Sequence, residues 1–201
     1  MNIFLSIFLS YLLGSIPFSH IFPKLKGKDV SKAGTKNIGA TNALVVAGPV
    51  IGFLSWLGDV GKGFLVVYLA QRFFLPYWAV TCCALAAIIG HDFSIFLKFK
   101  GGKGIATTGG ALIAFDPVLA LIVTLFWAML ILIWRYFIPA TIIILGFLPL
   151  ALVILGKSSA FVSFALGAFV LALYTHREDL KRFLSGQELK TSDAVNKFIK
   201  K

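Results

Sequence analysis

Long apolar runs separated by short polar clusters dominate this chain. Runs cut by charge, Gly and Pro fall near residues 2–22, 49–70, 76–90, 104–116, 117–134, 138–156 and 159–175. A helix needs about 20 mostly apolar residues to cross a ~30 Å hydrocarbon layer. The pattern therefore predicts an all-α integral membrane protein with seven transmembrane helices, a single membrane domain over 1–201 with almost no soluble portion. The fourth run is short: it opens at Gly104 and ends at Asp116-Pro117, which predicts a tilted or partial crossing. The first run, Met1–Phe22, is longer than a signal-peptide core, has no positive charge ahead of it and enters a lysine-rich loop. It is expected to be a membrane span.

Composition agrees with the pattern. Of 201 residues, 59% are hydrophobic and only 13% charged, with a mean hydropathy of +0.92, whereas soluble domains carry about 25% charged residues. Charge placement then sets orientation. With the N-terminus outside and the C-terminus cytoplasmic, the inner segments are about 23–48, 91–103, the turn at Arg135 and the tail 176–201. They hold sixteen of the nineteen Lys and Arg; the outer turns hold Arg72 and Lys157, and Lys62 lies within a span. That is a strong positive-inside bias, and losing the fourth crossing would send the last turns and the tail to the wrong side.

The net charge of +11 is accounted for by inner loops facing an anionic leaflet, so nucleic acid is not an implied partner. Cys82 and Cys83 are adjacent in an apolar run with no second pair, which suits packing rather than a disulfide framework or zinc site. No metal or cofactor is implied. No repeat of 20–50 residues is visible, and the two halves lack matching interrupted helices, which argues against an inverted-repeat transporter.

Three inner segments carry candidate chemistry. The first ends in Gly34-Thr35-Lys36-Asn37-Ile38-Gly39-Ala40-Thr41-Asn42, whose hydroxyls and amides suit hydrogen bonds to phosphate or hydroxyl oxygens and whose glycines permit close backbone approach. The competing reading is a connector built from turn residues. The second runs from His91 to Thr107 and contains Lys100-Gly101-Gly102-Lys103-Gly104 at the start of the fourth helix. Backbone N–H groups at a helix start attract anions, and Lys103 adds a full charge. It is not a Walker A loop, because Leu97 stands where the first glycine belongs and Gly104 follows the lysine in place of Ser or Thr.

The third segment is Thr175-His176-Arg177-Glu178-Asp179-Leu180-Lys181-Arg182. On a helix His176 and Asp179 share a face at i, i+3 and suit the positioning of a hydroxyl, while Arg177, Lys181 and Arg182 read as an interfacial helix end. Asp59 and Lys62 sit three apart inside a span, where an isolated charge is costly, and are expected to pair. His20 and His91 have no recognisable partners.

With these segments in view, the chain resembles the bacterial acyl-phosphate:glycerol-3-phosphate acyltransferases, the PlsY family, over essentially its whole length. The motifs that carry the resemblance are Gly14-Ser15-Ile16-Pro17-Phe18, Asn37–Asn42, Asp59 with Lys62-Gly63, Phe96–Thr107 and His176-Arg177-Glu178, in that order. The resemblance implies a multi-pass enzyme of the bacterial inner membrane that moves a fatty acyl group from acyl phosphate to the 1-hydroxyl of glycerol 3-phosphate, making lysophosphatidic acid for phospholipid synthesis without coenzyme A. It implies Thr35, Lys103 and His176 as catalytic residues. Lys36, Asn37, Thr41, Asn42, Gly101, Gly102, Gly104, Thr107 and Asp179 are the implied substrate-binding residues, with the glycine loop on the donor and the other two segments on the acceptor. Membrane lipids are the remaining partners.

Four positions depart from the family pattern. Thr35 replaces a serine, Lys36 a glycine, Val45 an arginine that meets the acceptor phosphate, and Asp179 an asparagine. Valine supplies none of the bidentate bonds of an arginine fork, and a carboxylate repels phosphate. Two alternatives therefore stand beside the family reaction: transfer from acyl phosphate to another acceptor, and a non-catalytic binding protein or transporter of the same fold.

Overall fold

The computed structural model describes residues 2–188 and 190; residue 189 and residues 191–201 of the expected tail lie outside the described residues. Among the described residues the chain is all helical. The α-helices are α1 Ile3–Ser15, α2 Phe18–Leu25, α3 Ala40–Ala47, α4 Pro49–Arg72, α5 Tyr77–Asp92, α6 Ile105–Phe115, α7 Pro117–Trp134, α8 Phe137–Ile154, α9 Ser159–Thr175 and α10 Arg177–Leu184. In lipid every backbone polar group must be satisfied within the segment, so long apolar runs have no other stable form.

Among the described residues five segments are long and apolar enough to cross a membrane: Ile3–Leu25, Pro49–Arg72, Tyr77–Leu97, Pro117–Trp134 and Phe137–Ile154. The pair Ser159–Thr175 and Arg177–Leu184, bent by 64°, makes a sixth when taken together. The short fourth segment expected from sequence is α6, whose 11 residues reach about 16 Å at 1.5 Å each. That is about half the hydrocarbon thickness. α6 packs closely against α4. A Cβ on Gly63 would lie 2.0 Å from the Thr107 carbonyl oxygen, and one on Gly110 would lie 1.9 Å from that of Val60. Only glycine lets the two backbones meet, the usual device of membrane helix pairs.

The first run is not one straight helix. It breaks at Ile16-Pro17: Ile16 is extended (φ −61°, ψ 115°), as the residue before a proline must tend to be, and Pro17 has no N–H to continue the ladder. The carbonyls released at the break are taken up from elsewhere. Ser94 Oγ donates to Ser15 O at 2.5 Å and Lys62 Nζ to Ile16 O at 2.9 Å.

At the opposite end of the bundle, Asp116 caps α7 by accepting the Leu119 N–H at 3.0 Å and pairs with Lys157 at 2.8 Å. The backbone bond from Leu119, then the Lys157 ammonium, hold its carboxyl below the usual carboxylate range. A depressed folded value means a contribution present at neutral pH and lost as acid protonates the group. Asp116→Ala is expected to cost about 1 kcal/mol, seen as a lower thermal midpoint in detergent at pH 7 with the difference closing in acid.

Candidate functional site

The three polar segments that carry candidate chemistry converge at one end of the bundle. The loop between α2 and α3 is organised around Asn42 on the first turn of α3. Its Nδ2 group donates to the carbonyls of Val30 (2.8 Å), Asn37 (2.9 Å) and Ala33 (3.1 Å), and its Oδ1 accepts the Thr35 N–H at 2.9 Å. Asn42 is buried, so its amide shapes the loop and is fully engaged in doing so. Beneath it Val30, Ile38 and Ala43 form a small apolar core against which Leu97 of the second segment packs.

The polar residues of this loop face outward. Thr35, Lys36 and Thr41 are exposed and Asn37 is half-buried, with Thr35 Oγ1 accepting the Asn37 N–H at 3.4 Å. Lys36 has φ +60°, the left-handed region where a side chain costs about 1 kcal/mol. The residue that departs from the family's glycine thus occupies a conformation glycine prefers. Val45 is half-buried on α3.

The glycine loop lies across the end of α5. Gly102 N–H donates to the His91 carbonyl at 3.0 Å, and Cβ atoms at Gly101 and Gly102 would fall 2.0 Å from the His91 carbonyl oxygen and 2.6 Å from that of Ile38. These glycines are therefore required for packing: they let the second segment touch both α5 and the first loop. Gly104, with φ +72°, starts α6 without a side-chain cap, so the first-turn N–H groups of α6 retain their positive partial charge. Thr107 is buried in that turn, and its hydroxyl has no hydrogen-bond partner among the described residues.

Lys103 reaches the third segment. Its Nζ pairs with Asp179 Oδ2, and Asp179 Oδ1 pairs with Arg182 Nη2. His176 sits at the bend between α9 and α10, buried, with Nδ1 2.9 Å from the Ala172 carbonyl. A carbonyl only accepts, so Nδ1 carries the proton and the neutral ring presents Nε2 as an acceptor. Arg177 donates to Tyr174 O at 2.7 Å and lies over the Tyr174 ring, in keeping with a helix-end role. Arg182 departs from that reading because it faces Asp179.

Beneath the loops lies a buried polar network. Asp59 and Lys62 pair at 3.0 Å as expected, and Ser19 Oγ donates to Asp59 Oδ2 at 2.5 Å. His91, for which the sequence offered no partner, has its Nδ1 3.4 Å from Asp59 Oδ1. Its Nε2 edge lies against Gly102. The imidazole therefore connects the ion pair of α4 to the glycine loop. No sequence spacing signals this, because α4 and α5 meet only in the packed bundle. Asp92 is also buried here, close to Gly104.

Comparison with known proteins matches residues 4–186 to the family model described as glycerol-3-phosphate acyltransferase. Among curated relatives, a glycerol-3-phosphate acyltransferase of Thermotoga petrophila is 39% identical over 185 residues, 92% of this chain and 94% of that protein. One of Burkholderia ambifaria is 39% identical over 196 residues, covering 96% of this chain and 92% of its own length. Two crystal structures of an integral membrane glycerol 3-phosphate acyltransferase superpose with TM-scores of 0.87. The glycerol 3-phosphate form is 36% identical, with 94% of each chain covered. The lysophosphatidic acid form is 34% identical, covering 96% of this chain and 98% of the other.

Proposed function

The chain belongs to the glycerol-3-phosphate acyltransferase family, and from that premise we propose that it transfers a fatty acyl group from acyl phosphate to the 1-hydroxyl of glycerol 3-phosphate. The reaction takes place on the cytoplasmic face of a bacterial inner membrane. The proposed topology has seven crossings, with α1 and α2 as the first and α6 as a short fourth, the N-terminus outside and the site inside. The sixteen inner cations support that orientation.

One observation carries the reading: Lys103, at the uncapped start of α6, stands between the Ile38 end of the first loop and the His176 segment. An ammonium and helix N–H groups suit the phosphate of an acyl phosphate. The donor is already an activated anhydride, so alignment and charge stabilisation supply most of the required catalysis. The acceptor oxygen attacks the carbonyl carbon, the new C–O bond forms, the carbonyl–phosphate bond breaks and inorganic phosphate departs. The hydroxyl proton passes to the departing phosphate or to His176 Nε2. Thr35, exposed beside Asn37, presents a hydroxyl to the acceptor, and Thr107 is the buried hydroxyl of the donor turn.

Purified protein given palmitoyl phosphate and glycerol 3-phosphate is expected to release phosphate and form lysophosphatidic acid; well-folded protein without turnover would remove the reading. Val45 and Asp179 motivate a second reading, acyl transfer to an acceptor without phosphate. A screen of acceptors with acyl phosphate as donor separates the two.

On the primary reading Lys36 is the cation that serves the acceptor phosphate in place of the family's arginine. Lys36→Gly keeps a residue suited to φ +60° and removes the ammonium together with its stem. It is expected to raise the acceptor KM about tenfold, the worth of one charge-assisted bond, with kcat and the thermal midpoint little changed, whereas Lys36→Arg keeps a low KM. Initial-rate kinetics against glycerol 3-phosphate check it.

A further inference from the structure

Asp179 lies where the glycine loop meets α10, and both of its carboxylate oxygens are engaged. Oδ2 takes Lys103 and Oδ1 takes Arg182. The Asp179 side chain is 9% exposed, against 24% for Lys103 and 47% for Arg182. The carboxylate is therefore enclosed by its two cations, and the charge of Lys103 is already answered by an anion of the protein itself.

The two ion pairs differ in a way that matters. Asp179 and Arg182 are neighbours at i, i+3 on α10 and stay together whatever that helix does. Lys103 belongs to a separate segment ahead of α6 and can change partner. A phosphate arriving at the start of α6 meets Lys103 with a carboxylate on its Nζ, and two anions cannot share one ammonium without repulsion.

Resting on the phosphate-site reading above, we propose that Asp179 sets the strength of phosphate binding at this site: its carboxylate competes with substrate phosphate for Lys103, and Arg182 holds the displaced carboxylate when phosphate takes its place. The ligand class is a phosphate monoanion or dianion, as acyl phosphate or inorganic phosphate. Asp179 thereby weakens retention of inorganic phosphate, the product that must leave before the next donor binds. Arg182 acts through Asp179 and is a positioning residue.

The two residues then have opposite signatures, which a purely structural role would not produce. In Asp179→Asn, Lys103 loses its competitor, and inorganic phosphate binding to detergent-solubilised full-length protein, measured calorimetrically, is expected to tighten about two- to fivefold. That factor is the range for one partly screened ion pair. The acyl-phosphate KM falls and inhibition by inorganic phosphate strengthens by a similar factor. In Arg182→Gln the carboxylate has only Lys103 to turn to, and phosphate binding is expected to weaken several-fold. The double variant should match Asp179→Asn.

Unchanged or weaker phosphate binding in Asp179→Asn, or tighter binding in Arg182→Gln, overturns the proposal; if Asp179→Asn fails to fold, Arg182→Gln decides alone. If neither the parent nor Asp179→Asn binds phosphate, the proposal also falls. Parallel turnover assays of the parent protein separate this from the functional reading: phosphate binding with the expected signs but no acyl transfer overturns the reaction and leaves the role of Asp179 in phosphate binding standing.

Discussion

Lys103→Ala is expected to lower acyl transfer from acyl phosphate by a hundredfold or more while leaving the fold intact. The size follows from removing a charged donor aimed at developing negative charge, which costs about 10²–10³ in rate. The sparing of the fold follows from geometry. The Lys103 side chain is 24% exposed and its ion-pair partner Asp179 keeps Arg182, so no buried charge is left without a counter-ion. The loop backbone is held independently by the Gly102 N–H bond to His91. Radiolabelled acyl transfer gives the rate, and a thermal midpoint within a few degrees of the parent shows that the loss is chemical. A variant that retains a tenth or more of the activity would place the donor phosphate elsewhere.

The helical architecture was legible because lipid leaves an apolar run few choices, and the shortness of the fourth segment could be read from Gly104 and Asp116-Pro117 flanking it. The break in the first span was in plain view as Ile16-Pro17, yet a hydropathy pattern runs straight through it. Its consequence, two released carbonyls met by Ser94 and Lys62, needs tertiary structure to be seen.

At the site, residue type did not reveal which partners each side chain has in the fold. Asn42 has the right amide for a ligand, but its partners are backbone carbonyls of Val30, Ala33 and Asn37. Those positions are set by the shape of the loop, which no spacing rule encodes. Asp59 and Lys62 were readable as a pair because i, i+3 on a helix is a local relation. His91 was not, because its link to Asp59 crosses from α5 to α4. Asp179 looked like an anion placed against a phosphate site. The structure adds that it is an anion already shared by two cations, a relation between two segments far apart in sequence.

The largest effect on stability is expected from Lys62→Ala. The side chains of Lys62 and Asp59 are each 1% exposed, deep in a span where an uncompensated charge is expensive. Removing the ammonium leaves Asp59 with Ser19 and His91, and takes from the Ile16 carbonyl its side-chain bond at the α1–α2 break, leaving it the Phe18 N–H at 3.2 Å. Breaking a buried pair from one side costs about 3–5 kcal/mol. For a chain of this size that corresponds to a thermal midpoint lower by roughly 10 °C, with activity falling as folded protein is lost. The double variant Asp59→Asn, Lys62→Met removes both charges, keeps an amide for Ser19 and His91, and fills the volume of the lysine stem. Because a neutral, packed replacement of a buried ion pair is often tolerated, it is expected to recover most of the lost stability. It would not restore the Ile16 bond, so a remaining deficit of about 1 kcal/mol measures what that bond contributes. Melting curves of the parent, the single variant and the double variant in one detergent decide the matter, and equal destabilisation in the last two would show that the Ile16 contact matters more than the charge.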